Sequence, residues 1–127
     1  MAASIINTSK APSPIGPYNQ AVRYGDLLFT SGQIAIDPKT GELYQGDIQE
    51  ETRLVMENLK AVLEAASMNF SNVIKTSIFV SDMGNFAAIN EVYGQYFDEA
   101  TAPARETVEV ANLPKYVKVE ISMIAGV

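Results

Sequence analysis

The pattern that decides the fold lies in residues 101–123, which read TAPARETVEVANLPKYVKVEISM. Polar and apolar residues alternate along residues 104–110 and again along 117–123, and a turn-forming segment separates them at 112–115. Alternation with period two is typical of half-buried strands. The sequence therefore predicts a final β-hairpin whose two strands turn their valines to one face of a sheet.

The register of this predicted hairpin places two charged residues close together. When valine stacks on valine across the strands, Glu109 faces Lys118, an opposite charge, as cross-strand pairing favours. The same register makes Arg105 and Glu120 diagonal neighbours on the polar face. A guanidinium fork can bind a carboxylate, and a nearby carboxylate can activate water. Such an arginine and glutamate are more often an ordinary structural ion pair on a solvated sheet face than a functional site.

Length and composition limit the possible functions. The chain has 127 residues, and we expect residues 1–127 to form a single domain. It contains no cysteine and no histidine, which excludes disulfides, thiolate nucleophiles, cysteine-ligated zinc and serine-histidine triads. The net charge of −6 disfavours broad nucleic-acid binding. Because the sequence has neither a membrane-length apolar run nor a signal-peptide pattern, we expect a cytoplasmic protein without membrane contact.

Two amphipathic helices are predicted ahead of the hairpin. Asp47 opens the first as its N-cap with Glu50 as capping-box partner, and Asn85 caps the second. Apolar residues recur at helical spacing in both: Val55, Leu59, Val62, Leu63 and Ala66 in the first, and Phe86, Ile89, Tyr93, Tyr96 and Phe97 in the second. We interpret both stripes as core. Asn90 follows Phe86 by one turn and flanks the second stripe.

Further strands are predicted at residues 19–24, 27–31 and 73–80, with residues 33–36 extending the sheet, whereas the residues up to Pro17 indicate an irregular lead-in. A bulge or a close backbone approach is expected at Gly32. The order of strands, helix, strand, helix and hairpin indicates an α+β fold, a mixed β-sheet with two helices packed on one face. Since the other face keeps apolar residues, we expect a partner subunit to cover it.

Several separated motifs, taken together, resemble the RidA family of reactive-intermediate imine/enamine deaminases, also called YjgF-like proteins. The motifs are PIGPY at 14–18, TSGQ at 30–33, DPKTG at 37–41, VIKT at 73–76 with FV at 79–80, PAR at 103–105, VEV at 108–110 and VEI at 119–121. The resemblance covers nearly the whole chain. It implies a chorismate-mutase-like subunit that assembles as a homotrimer, with a central β-barrel and the helices outside.

The resemblance also implies a site in a cleft between neighbouring subunits. In the family, the residue matching Arg105 holds the substrate carboxylate, and the residue matching Glu120 orients or activates water. The other substrate-binding positions implied are Tyr18, Ser31, Gly32, Asn90 and Thr107. The implied reaction is cofactor-independent hydrolysis of 2-aminoacrylate and 2-aminocrotonate, or their tautomers 2-iminopropanoate and 2-iminobutanoate. The products are pyruvate or 2-oxobutanoate and ammonia.

Two positions depart from the family pattern. Thr107 stands where many enzymatic members have a cysteine, so it keeps a backbone amide and a hydroxyl but offers no thiol chemistry. Glu106 stands where a small or apolar residue is more usual. By strand alternation Glu106 points to the opposite face from Arg105, so it is not expected to neutralise the guanidinium.

Three alternative functions remain open from the sequence. A non-catalytic trimer could use Arg105 to bind small carboxylates as a sensor, or could act as a chaperone-like protein. Some family members have been described as ribonucleases and translation inhibitors, but the acidic balance and the missing histidine argue against RNA as a partner here. A chorismate mutase is the third alternative, although its dicarboxylate substrate would be expected to need more cationic side chains than the single arginine found in this neighbourhood.

Overall fold

The computed structural model describes residues 2–127, in which three strands are followed by a helix, a strand, a second helix and two further strands. The elements are β1 (Ser4–Ile6), β2 (Ala21–Tyr24), β3 (Leu27–Thr30), α1 (Ile48–Ala65), β4 (Val73–Val80), α2 (Phe86–Tyr93), β5 (Ala104–Glu109) and β6 (Val119–Gly126). Within residues 2–127, no helix is both long and apolar enough to cross a membrane.

The strands form one sheet in the order β1-β2-β3-β6-β4-β5. Neighbours run antiparallel except β4 and β5, which run parallel. Parallel strands need a long crossover, and here α2 lies within it. The mixed sheet of the predicted α+β fold is therefore confirmed.

Helix α1 covers one face of this sheet, and α2 joins the same core. Alternate residues of β6 are buried there: Val119, Ile121, Met123 and Ala125. The predicted stripe of α1, from Val55 to Ala66, belongs to the same cluster, as do Ile89 and Tyr93 of α2. Each fully buried valine or leucine contributes about 1.5–3 kcal/mol to folding. We call this side of the sheet the helix face.

The N-terminus of α1 is capped as predicted, but not by the predicted capping box. The Asp47 side chain accepts the Glu50 N–H over 3.1 Å, so Asp47 is the N-cap. The Asp47 N–H, which a capping box would pair with Glu50, donates instead to the hydroxyl of Tyr44 over 3.1 Å. Glu50 forms an exposed ion pair with Arg53 at 3.6 Å. A tyrosine from the preceding loop thus takes the place of the predicted glutamate.

The second helix is shorter than its apolar stripe. Asn85 precedes α2 as predicted, but its side chain makes no capping hydrogen bond. Tyr96 and Phe97 lie beyond α2, at the end of a 3₁₀ turn at Gly94–Tyr96 and just after it. Both still pack against the core, so the interpretation of the stripe as core is confirmed for these two residues.

The predicted pairing of the last two strands is wrong, because β4 lies between β5 and β6. The segment that connects them is not a tight turn. Leu113 and Val117 are buried in a second apolar cluster with Ile34 and Ile36, which draws the connection away from a hairpin loop. Strand β5 pairs instead with β4, which it reaches through α2.

The charge pair predicted from that hairpin is also absent from the described residues. Glu109 Oε1 accepts the Met83 N–H over 2.7 Å, and Lys118 Nζ donates to the Gly46 carbonyl over 2.9 Å. The two side chains therefore bind to separate loops, as the position of β4 between their strands requires.

The N-terminal lead-in is more regular than predicted, and the segment after β3 is less so. Strand β1 pairs with β2 and forms one edge of the sheet. Residues 33–36, predicted to extend a strand, contribute only isolated bridges from Gln33 to Ile121 and from Ile36 to Leu43.

The second face of the sheet, which we call the open face, keeps apolar residues, as the sequence predicted. Val108 is among them, so the prediction that it shares the core face with Val119 is wrong. Phe29 is 44% exposed and Val108 is 40% exposed. Their register partners Ile124 and Phe79 are half-buried beside them. A polar row formed by Ser122, Ser77 and Glu106 lies between these two pairs, so the apolar surface forms two patches. Exposed apolar patches with polar residues around them are typical of interaction sites. The trimer itself stays a prediction.

Candidate active site

A β-bulge shapes the end of β3. The last regular pair between β3 and β6 joins Phe29 to Ile124, and the next bridge joins Gln33 to Ile121. Four residue steps on one strand therefore face three on the other, which defines a bulge. The bulge predicted near Gly32 is confirmed.

Gly32 lies directly against the side chain of Glu120. A Cβ atom at position 32 would lie 2.7 Å from Glu120 Cδ and 3.0 Å from its Oε2. These distances are shorter than normal non-bonded contacts, so glycine is what allows the carboxylate to occupy this place. Glu120 pairs with Phe79 on β4, which places its side chain on the open face.

A cavity of about 330 Å³ opens beside Glu120. Four of the predicted site residues line it together: Tyr18, Ser31, Gly32 and Glu120. Ile34 supplies part of a mainly apolar wall. A concave, largely apolar space with a few polar groups is typical of small-molecule sites.

The loop that carries Tyr18 is held by a residue that the sequence analysis did not single out. Gln20 is 1% exposed, and its Nε2 donates to the carbonyls of Thr8, Ala11 and Pro12 over 3.0, 3.2 and 2.8 Å. Its Oε1 accepts the Thr8 N–H over 2.6 Å. A buried glutamine that satisfies so much loop backbone is costly to replace, because each partner would be left unpaired. Nothing in the local sequence pattern distinguishes Gln20 from a surface residue.

Ser31 contributes mainly through its position in the chain. Its hydroxyl donates to the Asn19 carbonyl over 2.6 Å, and its N–H donates to the Gln20 carbonyl over 2.9 Å. Both donors of Ser31 therefore hold the bulge to the start of β2. The hydroxyl oxygen can still accept a hydrogen bond from a ligand.

The environment of Glu120 favours its protonated form. Partial burial of the carboxylate raises the pKa of Glu120 above its ordinary value of 4.5. The ion pairs within residues 2–127 join Arg53 to Glu50 and Lys75 to Glu106, and neither involves Glu120. A desolvated carboxylate without a cationic partner is a better base than an exposed one.

Arg105 lies in a separate groove on the edge strand β5. Its Nη1 donates to Asn90 Oδ1 over 2.7 Å. Its guanidinium carbon lies 5.1 Å from the ring centre of Tyr93 and 5.7 Å from that of Phe86. Among residues 2–127, Arg105 has no acidic partner within ion-pair distance. The structure thus brings together Arg105 and Asn90, two of the predicted site residues.

The expectation that Arg105 and Glu120 are diagonal neighbours in one sheet is wrong for the single subunit. Arg105 is the register partner of Thr76, which is buried under the helices, so its side chain lies on the helix face. Glu120 is the register partner of Phe79 and lies on the open face. With β4 between their strands, the two side chains point away from each other. One subunit cannot present both groups to the same small molecule.

Thr107 and Glu106 follow Arg105 on alternate faces. Thr107 shares the helix face with Arg105, and its Oγ1 is buried without a hydrogen-bond partner among residues 2–127. Glu106 lies on the open face, where it accepts from Lys75 Nζ at 2.9 Å and from the Ser77 hydroxyl. The Ser77 hydrogen bond and then Lys75 lower the pKa of Glu106. The prediction that Glu106 points away from Arg105 is confirmed.

The aromatic contacts of Arg105 are the part of this groove that the sequence analysis missed. Phe86 and Tyr93 were assigned to the core stripe alone. Their spacing with Asn90 places all three on one face of α2, which is the signal that could have identified them. Within residues 2–127, no three His, Cys, Asp or Glu side chains lie close enough together to hold a metal ion.

Comparison with known sequences identifies relatives along nearly the whole chain. A family model described as endoribonuclease L-PSP matches residues 8–127. A RutC family protein of Synechocystis is 53% identical over 126 residues, which is 98% of this chain and 97% of that protein. An Escherichia coli protein named "Putative reactive intermediate deaminase TdcF" is 51% identical over 123 residues, 95% of each chain.

Solved structures agree with these relationships. The crystal structure of E. coli TdcF with bound serine has a TM-score of 0.91 and 49% identity, and the match covers 98% of each chain. A protein of the conserved Rid family from Yersinia pestis has a TM-score of 0.96 and 47% identity. That match covers 99% of this chain and 100% of the other.

Proposed function

The chain belongs to the endoribonuclease L-PSP family, to which the Rid and RutC proteins belong, and from this membership we propose that it is a hydrolytic deaminase of small 2-imino acids. The observation that carries the proposal is the set of contacts around the Arg105 guanidinium. Its guanidinium is held by a neutral amide and two aromatic rings, so its positive charge remains available to a carboxylate. The substrates proposed are 2-iminopropanoate and 2-iminobutanoate.

Subunit assembly completes the proposed site. Since Arg105 and Glu120 lie on opposite faces of their own sheet, a substrate that touches both must bind between two subunits. The exposed apolar residues on the open face, Phe29 and Val108 among them, support such an assembly. We assign it as a homotrimer with the sheets around a central barrel, in which Arg105 of one subunit reaches the cavity of the next.

The proposed reaction uses positioning by Arg105 and proton transfers through Glu120. Arg105 binds the substrate carboxylate through paired charge-assisted hydrogen bonds. Glu120 takes a proton from a water molecule as the water oxygen attacks C2 of the imine, and the nitrogen, which receives the C=N electron pair, takes that proton from Glu120 to give a neutral carbinolamine. Glu120 then takes the proton of the carbinolamine hydroxyl and passes it to the nitrogen, so the C–N bond breaks as the C=O bond forms, and ammonia leaves the 2-oxo acid. Because the imine is already electrophilic, orientation in the cleft supplies much of the rate gain.

A trapping experiment tests the proposed function directly. The imino acids are generated in the assay with an amino-acid oxidase or a dehydratase, and semicarbazide captures what remains of them. The purified protein is expected to lower the captured fraction in proportion to its concentration. An unchanged captured fraction, with folded and oligomeric protein, rejects the deaminase.

Gly32→Ala is expected to abolish most of the deaminase activity at little cost in stability. The new Cβ atom would lie only 2.7 Å from Glu120 Cδ, so the carboxylate must move away from its place beside the cavity. The displaced group is the end of a flexible side chain, so the free energy of unfolding is expected to change by less than about 1 kcal/mol. Activity and urea unfolding are measured together. Full activity in Gly32→Ala contradicts the assigned position of Glu120.

The activity is expected to rise with pH through a value above 4.5, the ordinary pKa of a glutamate, because Glu120 must be ionised to accept a proton. The pKa of Glu120 is raised in the folded state, so its contribution to stability is present below its unfolded pKa and is lost as pH rises through the folded one. Glu120→Gln is therefore expected to be more stable than wild type at neutral pH. Its hydrolysis rate is expected to stay near the uncatalysed rate at every pH, so it should not show the rise in kcat/KM with pH that is expected of the wild type.

A non-catalytic carboxylate-binding trimer is the second candidate function. The crystal structure of TdcF with bound serine, a small molecule with a carboxylate, favours it. This candidate predicts that 2-oxobutanoate binds through Arg105 while the imine hydrolyses at the uncatalysed rate. A ribonuclease function is less well supported, given a net charge of −6 and no histidine, and a salt-dependent RNA gel shift tests it.

A further inference from the structure

One face of helix α2 contacts the guanidinium of Arg105. Phe86, Asn90 and Tyr93 follow one another at spacings of four and three residues, which puts them on a single side of the helix. All three contact the Arg105 guanidinium, Asn90 by a hydrogen bond and the two rings by their faces. We call these three residues the arginine seat.

Tyr93 is the member of the seat that is fixed to the rest of the fold. It is 5% exposed, and its hydroxyl donates to Thr76 Oγ1 over 3.0 Å. Thr76 is fully buried on β4 and is the register partner of Arg105 on β5. The Tyr93 ring therefore connects α2 to the strand beside Arg105, and burial raises the pKa of Tyr93, which keeps its hydroxyl protonated as a donor.

The chemistry of the seat suits an arginine that binds an anion. A flexible arginine side chain loses rotamer entropy when a ligand orders it, and a side chain already held in place loses less. A carboxylate could also hold the guanidinium, but it would compete with an incoming anion. Aromatic faces and an amide oxygen hold the guanidinium without cancelling its charge.

We infer that Tyr93 is a positioning residue, which orients Arg105 for the substrate carboxylate through its ring and its hydrogen bond to Thr76. The inference rests on the proposed function of Arg105 as carboxylate ligand. A positioning role differs from a purely structural role of Tyr93 in the core. If Tyr93 positions Arg105, replacing Tyr93 weakens anion binding only when Arg105 is present.

The test measures the Kd of 2-oxobutanoate by calorimetry and, separately, KM and kcat for the imine. Tyr93→Leu is expected to raise both Kd and KM by about tenfold or more with a smaller change in kcat, because carboxylate binding depends on a preorganised guanidinium. Phe70→Leu is the matched control. Phe70 packs edge-on against Tyr96 and Phe97 in the same aromatic cluster, away from Arg105. The Phe70→Leu variant is therefore expected to bind 2-oxobutanoate with the wild-type Kd.

A double-mutant cycle separates positioning from general loss of structure. In an Arg105→Ala background, adding Tyr93→Leu is expected to leave the residual Kd unchanged, because Tyr93 acts only through the guanidinium. If Tyr93→Leu does not fold, Thr76→Val takes its place, because it removes the hydroxyl that anchors the ring. Its expected effect is a rise in Kd of about threefold that also disappears with Arg105→Ala.

The outcomes distinguish this inference from the proposed function. Equal Kd values for wild type and the folded Tyr93 or Thr76 variant overturn the positioning role. An effect of the same size with and without Arg105 also overturns it. If wild-type protein neither binds 2-oxobutanoate nor hydrolyses the imine, the function proposed for Arg105 fails first, and the positioning role fails with it.

Discussion

Arg105→Ala is expected to lower kcat/KM for 2-iminobutanoate by about a hundredfold or more, because removing one partner of a bidentate, charge-assisted pair leaves the other charge unpaired. The fold is expected to survive the change. Arg105 lies on the exposed edge strand, and its hydrogen bond to Asn90 belongs to the groove rather than to the core. Trapping of the imine by semicarbazide measures the loss, and circular dichroism with the native mass checks folding and assembly.

Two further variants separate the charge of Arg105 from its shape. Arg105→Lys keeps the charge but loses the planar fork and its stacking on Tyr93, so a loss of about tenfold or more is expected. Arg53→Ala is the matched control, since Arg53 is a partly exposed arginine on α1 whose partners are Glu50 and Gln95. Arg53→Ala is expected to keep wild-type activity. Wild-type activity in Arg105→Ala excludes the role assigned to this residue.

The elements whose signals are local were predictable from the sequence. Strand β4 and the start of α1 at Asp47 follow from apolar periodicity and a capping residue, and both are confirmed. The bulge at Gly32 also follows from a local signal, a glycine at the end of an apolar strand. Each of these depends on interactions within a few residues of the chain.

The partners of β5 and β6 were not predictable in the same way. Two alternating segments separated by a turn favour a hairpin, yet a third strand can lie between them without changing either pattern. The arrangement is decided by Leu113 and Val117, which bury in the second cluster, and by the crossover through α2. The same limit applies to Gln20, whose partners in the lead-in are 8 to 12 residues away and carry no periodic signal.

This difference in strand order changes how the site must work. In a hairpin, Arg105 and Glu120 share one polar face, and one subunit could carry out the reaction alone. With β4 between β5 and β6, Arg105 lies on the helix face and Glu120 on the open face. For the proposed reaction, which uses both residues, the observed topology predicts that catalysis depends on contact between subunits, and mixed assemblies can measure this dependence.

Mixing two inactive variants is expected to restore activity. In an Arg105→Ala subunit the cavity of Glu120 is intact, and in a Glu120→Gln subunit the arginine seat is intact. When the two proteins are unfolded and refolded together in equal amounts, an interface that pairs the intact arginine with the intact glutamate arises with a probability of about one quarter in a cyclic trimer. The mixture is thus expected to reach about a quarter of the wild-type rate, whereas each variant alone stays near the uncatalysed rate.

A second mixture distinguishes a shared site from one contained in a single subunit. Wild type refolded with the double variant, Arg105→Ala with Glu120→Gln, is expected to keep about a quarter of the activity of all-wild-type protein if each site draws on two subunits. A site within one subunit would keep about half in that mixture and would recover nothing from the two single variants. Native mass spectrometry with a tagged partner verifies that mixed trimers have formed. Recovery of activity in the first mixture, together with a quarter of the wild-type activity in the second, would establish that Arg105 and Glu120 act across a subunit boundary. Their positions on opposite faces of the sheet require this.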